Sequence, residues 1–247
     1  LGNDYYLNPY IFKKFLLIAG PMHISDGMLS PAWIAIWYGV ALVFIGAGIR
    51  EIRKRSKQEP SYIPMLALMG SVVFVISVWH VPVPVTGSCS HPIGTPMSAI
   101  LVGPFATVVI SSIALFFHMF LAHGGLTTLG ANVFSMGIIG TFAGYLIYRS
   151  FRRAGASFWF SAGMAGLTGD LLTYLTTAFE LAVSLHPDNF GYYWMLFALG
   201  FTPTQIPLAV GEFLFTATAI RYVVDRRPEF LMEVTTWKDT QKMPSSL

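Results

Sequence analysis

From Ser61 to Tyr148 the chain contains no Asp, Glu, Lys or Arg, a run of 88 residues. Soluble domains carry charge on about a quarter of their residues, and a water-facing surface could not be built from such a stretch. A bilayer asks for this pattern, because each spanning helix needs roughly 20 predominantly apolar residues. Over the whole chain 54% of residues are apolar and 11% are charged. Strand signals are weak and the apolar runs are too long and continuous for barrel strands. Helices therefore satisfy the backbone. The expected class is an all-α integral membrane protein of about seven transmembrane helices, with an irregular inserted loop around 81–96.

The apolar runs lie near Ala32–Ile49, Ser61–His80, Met97–Phe120, Ala131–Tyr148, Phe158–Val183 and Tyr192–Val223. Basic residues punctuate them in three clusters: Arg50, Arg53, Lys54, Arg55 and Lys57; Arg149, Arg152 and Arg153; and Arg221, Arg226 and Arg227. Short cytoplasmic loops of membrane proteins look like this, whereas a nucleic-acid surface would want a basic face with interleaved contacts. No nucleic-acid partner is expected. Placing all three clusters inside requires an even number of crossings between Arg50 and Arg149, yet only three clear runs lie there. The segment Val81–Pro104 is the place for the missing one. It carries Pro82, Pro84, Pro92 and Pro96, and a short half-helix from about Pro92 to Val102 would break at Gly103-Pro104. Irregular backbone at membrane depth survives only inside protein or around a cavity. The resulting count is seven crossings, with the residues before Ala32 outside and the C-terminus inside.

Residues 22–227 read as one polytopic domain, 228–247 as a polar cytoplasmic tail, and 1–21 as a leader or extension. Three readings of Leu1–Pro21 stay open. Met22, the first Met, is the true start; or the segment is a signal peptide, with Lys13 and Lys14 before the short apolar Phe15–Gly20; or it is retained.

Six histidines need explaining: His23, His80, His91, His118, His123 and His186. A single membrane histidine is more often a helix-linking hydrogen bonder than a ligand. His23 follows Met22. If Met22 is the N-terminus, its α-amine, the deprotonated His23 amide and an imidazole nitrogen form fused chelate rings. Three in-plane nitrogens favour tetragonal Ni²⁺ or Cu²⁺ and can hold low-spin Co²⁺. The bland alternative is a turn in which Ser25 or Asp26 caps the next helix. His91 lies in Thr86-Gly87-Ser88-Cys89-Ser90-His91-Pro92, within the irregular segment, and is the candidate fourth ligand; a backbone-bonded loop histidine is the alternative. Asp26, Ser88 and Ser90 stand beside these ligands as candidates to orient them. Cys89 reads as a small buried apolar residue. One cysteine excludes an internal disulfide or a thiolate-cluster site. Asp170, Glu180 and Glu212 lie in the later runs. They either line a metal path or bond helix to helix, and an interfacial place for Glu180 is a further reading.

The segments MHISDGMLSP, PVTGSCSHPIGT, HGGLTTLGANVFSMGIIG and RRPEFL resemble the CbiM/NikM family, the substrate-capture components of energy-coupling-factor transporters for cobalt and nickel. The likeness runs from Met22 to about Leu231. It implies a seven-helix bundle whose N-terminus is outside and tucked into the core. It further implies a transported Co²⁺ or Ni²⁺ held by Met22, His23 and His91, and no organic cofactor. The SCSHP loop is more like cobalt-type members and the MHISDGMLSP start more like nickel-type ones. The implied partners are two cytoplasmic ATPase subunits, a transmembrane coupling subunit and a small accessory membrane protein. With no Walker A motif, the chain is expected to be a transport component without its own ATPase. Two other classes compete. One is a membrane metalloenzyme, which would need an open coordination position; the other is a metal-binding or structural subunit of another membrane complex.

Overall fold

The computed structural model describes residue 24 and residues 26–79, 81–83, 88–121 and 124–226, with only the backbone of Pro82. The leader and tail segments, and the ligand candidates Met22 and His23, lie outside the described residues. Seven helices follow one another: α1 (Pro31–Gln58), α2 (Tyr62–Ser77), α3 (Thr95–Val102), α4 (Pro104–Met119), α5 (Leu129–Arg153), α6 (Phe158–Leu185) and α7 (Phe190–Arg226). The chain is a multi-pass membrane protein. Helices α1, α5 and the segment Pro187–Arg226 are long and apolar enough to cross a bilayer, and α2 and α4 are shorter apolar helices. At 16 residues each, α2 and α4 reach ~24 Å at ~1.5 Å per residue, a tight fit to a hydrocarbon core of ~30 Å. Large apolar side chains such as Leu42, Val43, Leu68 and Leu146 are exposed on the outside of the bundle, where acyl chains would cover them.

The parity problem resolves where the proline-rich segment pointed. Helix α3 is the short crossing, eight residues long and buried along its whole length. It ends at Gly103, whose φ of 91° no L side chain adopts easily, and Pro104 opens α4. Contacts fix the direction of each helix. The Tyr62 hydroxyl donates to the Val102 carbonyl at 2.8 Å, and the space beside Gly103 is filled by the Arg55 guanidinium, so the first basic cluster sits at the α3–α4 break. Gly94, at the other end of α3, packs on Val73 and Ile76 late in α2. Arg152 lies 3.5 Å over the Phe158 ring, and Gly163 of α6 faces Phe213 of α7. All three basic clusters therefore gather at one end of the bundle. The opposite end holds Asp26, Thr127 and Ser184, tied together by Thr127 N to Asp26 Oδ1 at 2.8 Å and Ser30 N to Ser184 Oγ at 2.9 Å.

Two features depart from plain helices. The segment expected to be irregular contains a small antiparallel pair, β1 (Val81–Val83) and β2 (Ser88–Ser90), with Pro82 opposite Cys89. Helix α5 is π-wound over Val133–Gly140. The wider turn releases the Met136 carbonyl, which accepts from the Thr95 hydroxyl at 3.2 Å. Such turns are frequent at functional sites. In lipid, where apolar burial drives helices together only weakly, close backbone approach does much of the packing. Gly140 and Gly169 provide it here. A Cβ on Gly169 would lie 2.5 Å from Pro96 Cγ and 2.6 Å from the Gly140 carbonyl. In α7, Pro203 and Pro207 interrupt the ladder, and the neighbouring Thr202 and Thr204 hydroxyls donate back to the Ala198 and Phe201 carbonyls at 2.9 and 3.0 Å.

Candidate metal-capture site

The half of the bundle away from the basic clusters contains a small polar pocket. The β2 strand and the turn after it contribute Ser88, Cys89 and His91; α5 contributes Asn132, Ser135 and Met136; α6 contributes Thr173, Tyr174 and Thr177. The three α6 residues follow from helical spacing, since positions three and four apart share a face.

His91 is 2% exposed and is held on both sides. Its backbone N–H donates to the Tyr174 hydroxyl at 2.7 Å, and that hydroxyl donates to the His91 carbonyl at 3.1 Å. The ring meets Tyr174 edge-on, with centroids 5.8 Å apart. Nδ1 lies 2.9 Å from the Pro92 carbonyl. A carbonyl can only accept, so Nδ1 carries a proton, the arrangement of a histidine ligand oriented by a backbone partner. Three residues on, Gly94 N donates to Glu212 Oε1 at 2.9 Å. The His91 segment is thus pinned to α6 by Tyr174 and to α7 by Glu212.

Ile24 reaches the same region. Ile24 is fully buried. Its N–H donates to Asn132 Oδ1 at 3.1 Å and its carbonyl accepts from Asn132 Nδ2 at 3.3 Å and from the Thr128 hydroxyl. Asn132 also lines the pocket, so the residue following His23 is clamped at the pocket's edge.

The other sequence candidates are distributed as follows. Ser88 lines the pocket. Ser90 is buried and its hydroxyl pairs with Thr204 Oγ1 at 2.8 Å, tying β2 to the proline-broken turn of α7. Asp26 is exposed and points away toward Thr127, accepting from its hydroxyl at 2.5 Å and its amide. The Thr127 hydroxyl, against a small desolvation penalty and with help from the Thr127 and Leu126 amides, holds the Asp26 carboxyl below its ordinary 3.8. The stabilisation this tie contributes is present above 3.8 and is lost as pH falls through the lowered value. Cys89 is 1% exposed, as read, but it faces the pocket rather than a purely apolar core. His118 behaves as a helix linker: its Nε2 lies 3.1 Å from the Phe74 carbonyl. His186 stacks on Tyr193. His80 and His123 lie outside the described residues. Asp170 and Glu212 bond helix to helix and helix to loop, Asp170 through Gln205 Nε2. Glu180 is fully buried, not interfacial, because α5 packs over it. Asn132, Ser135, Thr173, Tyr174 and Thr177 were not singled out in the sequence. Asn132 and Ser135 carried a signal there, since both stand in the HGGLTTLGANVFSMGIIG segment.

The family description "Cobalt uptake substrate-specific transmembrane region", CbiM, matches residues 23–230. The chain belongs to the CbiM family. A cobalt transport protein CbiM from Geobacter sulfurreducens is 45% identical over 224 residues, which make up 89% of this chain and 65% of that longer protein. One from Sorangium cellulosum is 44% identical over 214 residues, 85% of this chain and 94% of its own. A third, from Thermosipho melanesiensis, is 41% identical over 92% of this chain and 98% of its own. Two crystal structures described as a transition metal transporter, one of them truncated, superpose with a TM-score of 0.75 at 26% identity. They cover 83% and 87% of this chain and 99% and 98% of theirs. His91 and Asn132 line the pocket, and Ile24 is held beside it by Asn132 and Thr128.

Proposed function

We propose that this chain captures one Co²⁺ ion, with Ni²⁺ as the alternative cargo, between an N-terminal Met22-His23 chelate and His91 Nε2. The observation that carries the reading is the Asn132 clamp on Ile24. Successive Cα atoms are 3.8 Å apart, so His23 and Met22 stand one and two residues from a position fixed at the rim of the His91 pocket. Amine, amidate and two imidazole nitrogens form a square suited to a tetragonal ion, and four occupied positions leave little room for an activated water. Transport therefore fits the site better than hydrolysis. The reading requires a free α-amine on Met22, hence a mature chain without Leu1–Pro21. Ser88 is the remaining candidate to orient the site; Asp26 is tied to Thr127 instead.

The end bearing the three basic clusters is assigned to the cytoplasm by the positive-inside rule, and the capture site to the outer half. There the chain would meet the partners the family resemblance implies: two ATPase subunits, a transmembrane coupling subunit and a small accessory membrane protein. The chain itself contributes no phosphate-binding loop. The test is metal analysis and calorimetry on purified protein beginning at Met22. About one Co²⁺ or Ni²⁺ per chain is expected, none in His91→Ala, and none when Leu1–Pro21 is retained. Unchanged affinity in His91→Ala would sink the site.

A further inference from the structure

Glu180 lies on the face of α6 that lines the pocket, one turn beyond Thr177, and is fully buried. The side chain facing it is Ser135, itself a pocket residue. The Ser135 hydroxyl stands beside the Glu180 carboxyl but donates to the Ala131 carbonyl at 3.1 Å, and among the described residues neither Glu180 oxygen makes a well-aligned hydrogen bond. Among the described residues no Lys or Arg pairs with it; Arg55 pairs with Glu51 and Arg221 with Asp225, near the basic end. An acid in this position is costly and is normally matched by a charge or a functional partner. Asn132, which clamps Ile24, sits one turn before Ser135 on α5. The acid is therefore level with the Asn132 clamp on Ile24.

We propose that Glu180 is the charge-compensating residue of the capture site: its carboxylate balances the net positive charge of the captured ion and its chelate. The proposal rests on the metal-capture reading above. A divalent ion with one deprotonated amide, a neutral amine and two neutral imidazoles carries a net charge of one positive unit. Burying it in a bundle without a counter-charge is penalised heavily, and the Glu180 carboxylate beside the pocket supplies one negative charge, whereas Asp170 and Glu212 are engaged by Gln205 and the Gly94 amide. Glu180 acts through the field and through Ser135, and is not a ligand.

The experiment compares protein beginning at Met22 with its Glu180→Gln, Glu180→Asp and His91→Ala variants, by Co²⁺ calorimetry and by melting with and without Co²⁺. Glu180→Gln keeps volume and shape but removes the charge. Its metal-free form is expected to melt at or above the parent temperature, its affinity to fall about 10–100-fold, the range of outer-shell partners of metal ligands, and its Co²⁺-induced rise in melting temperature to shrink. Glu180→Asp is expected to recover part of the affinity. The inference is overturned if Glu180→Gln binds as tightly as the parent. It is also overturned if Glu180→Asp binds no better than Glu180→Gln, or if Glu180→Gln melts lower or fails to accumulate, which would mark a structural role. A parent that binds and a His91→Ala variant that does not leave the capture reading standing in each of those cases. A parent that binds nothing removes the reading itself.

Discussion

At the scale of single residues, the pocket is organised by side chains that bond backbone rather than metal. Tyr174 holds the His91 amide and carbonyl at once, and Asn132 does the same for Ile24. Tyr174→Phe would leave a buried N–H and C=O without that partner, a loss of about 1–3 kcal/mol. Because those groups belong to the residue bearing the proposed ligand, metal affinity should drop roughly tenfold or more by the same arithmetic. Calorimetry on Tyr174→Phe checks this, and parent-like affinity would show that His91 is oriented by its ring contacts alone. Cys89 gives the complementary case. It lines the pocket, yet the nitrogen square leaves no place for it, so Cys89→Ser should bind Co²⁺ within about threefold of the parent (~0.6 kcal/mol). A loss on the scale of His91→Ala would make the sulfur a ligand.

At the scale of elements, the site depends on three pieces meeting: α3 with its preceding turn, the π-wound stretch of α5, and the middle of α6. Gly169 allows that meeting. With Ala there, the new methyl would press on Pro96 and on the Gly140 backbone, and backbone yields poorly. Overpacking of this kind costs about 1–3 kcal/mol, and moving Pro96 displaces the segment that carries His91, five residues before it in the chain. Gly169→Ala should therefore lower both melting temperature and metal affinity. Gly39→Ala, in α1 with nothing within 4 Å of its new methyl, should leave affinity unchanged and melt slightly higher, since helical Gly costs about 0.5–1 kcal/mol relative to Ala. Equal behaviour of the two variants would refute the packing account. The same elements separate what could be read beforehand from what could not. The α3–α4 break was legible because Gly-Pro is a local signal and the basic clusters demanded one more crossing. His91 was legible because it sits in the only proline-rich stretch of an otherwise continuous apolar chain. The π turn had no such mark: Val133–Gly140 reads as ordinary helix, and its winding comes from Thr95 and from α6 packed against it. The β1–β2 pair was hidden by its own prolines. The burial of Glu180 depends on Ser135 and its neighbours in α5, about 45 residues away in sequence, and no pattern within α6 announces it.

At the scale of the whole molecule, the two ends differ in charge and in content. The end with Arg55, Arg152 and Arg221 contains the α3–α4 break, and the other end contains the His91 pocket. Two long helices join them: α6 through Tyr174 and α7 through Glu212 both grip the His91 segment and both run on to the basic end. A partner bearing on that end has a direct mechanical route to the site, which is what a capture component driven by separate ATPases would need. The route requires the basic end to face the cytoplasm. With Cys89 replaced by Ser the chain has no cysteine, so single probes can be placed at exposed positions: Gln58→Cys beside the first basic cluster and Asn189→Cys before α7. In intact cells a membrane-impermeant maleimide should label Asn189→Cys and spare Gln58→Cys, and permeabilised cells should label both. Labelling of Gln58→Cys alone in intact cells would invert the orientation, put the pocket on the cytoplasmic side, and turn a capture site into one better placed for release.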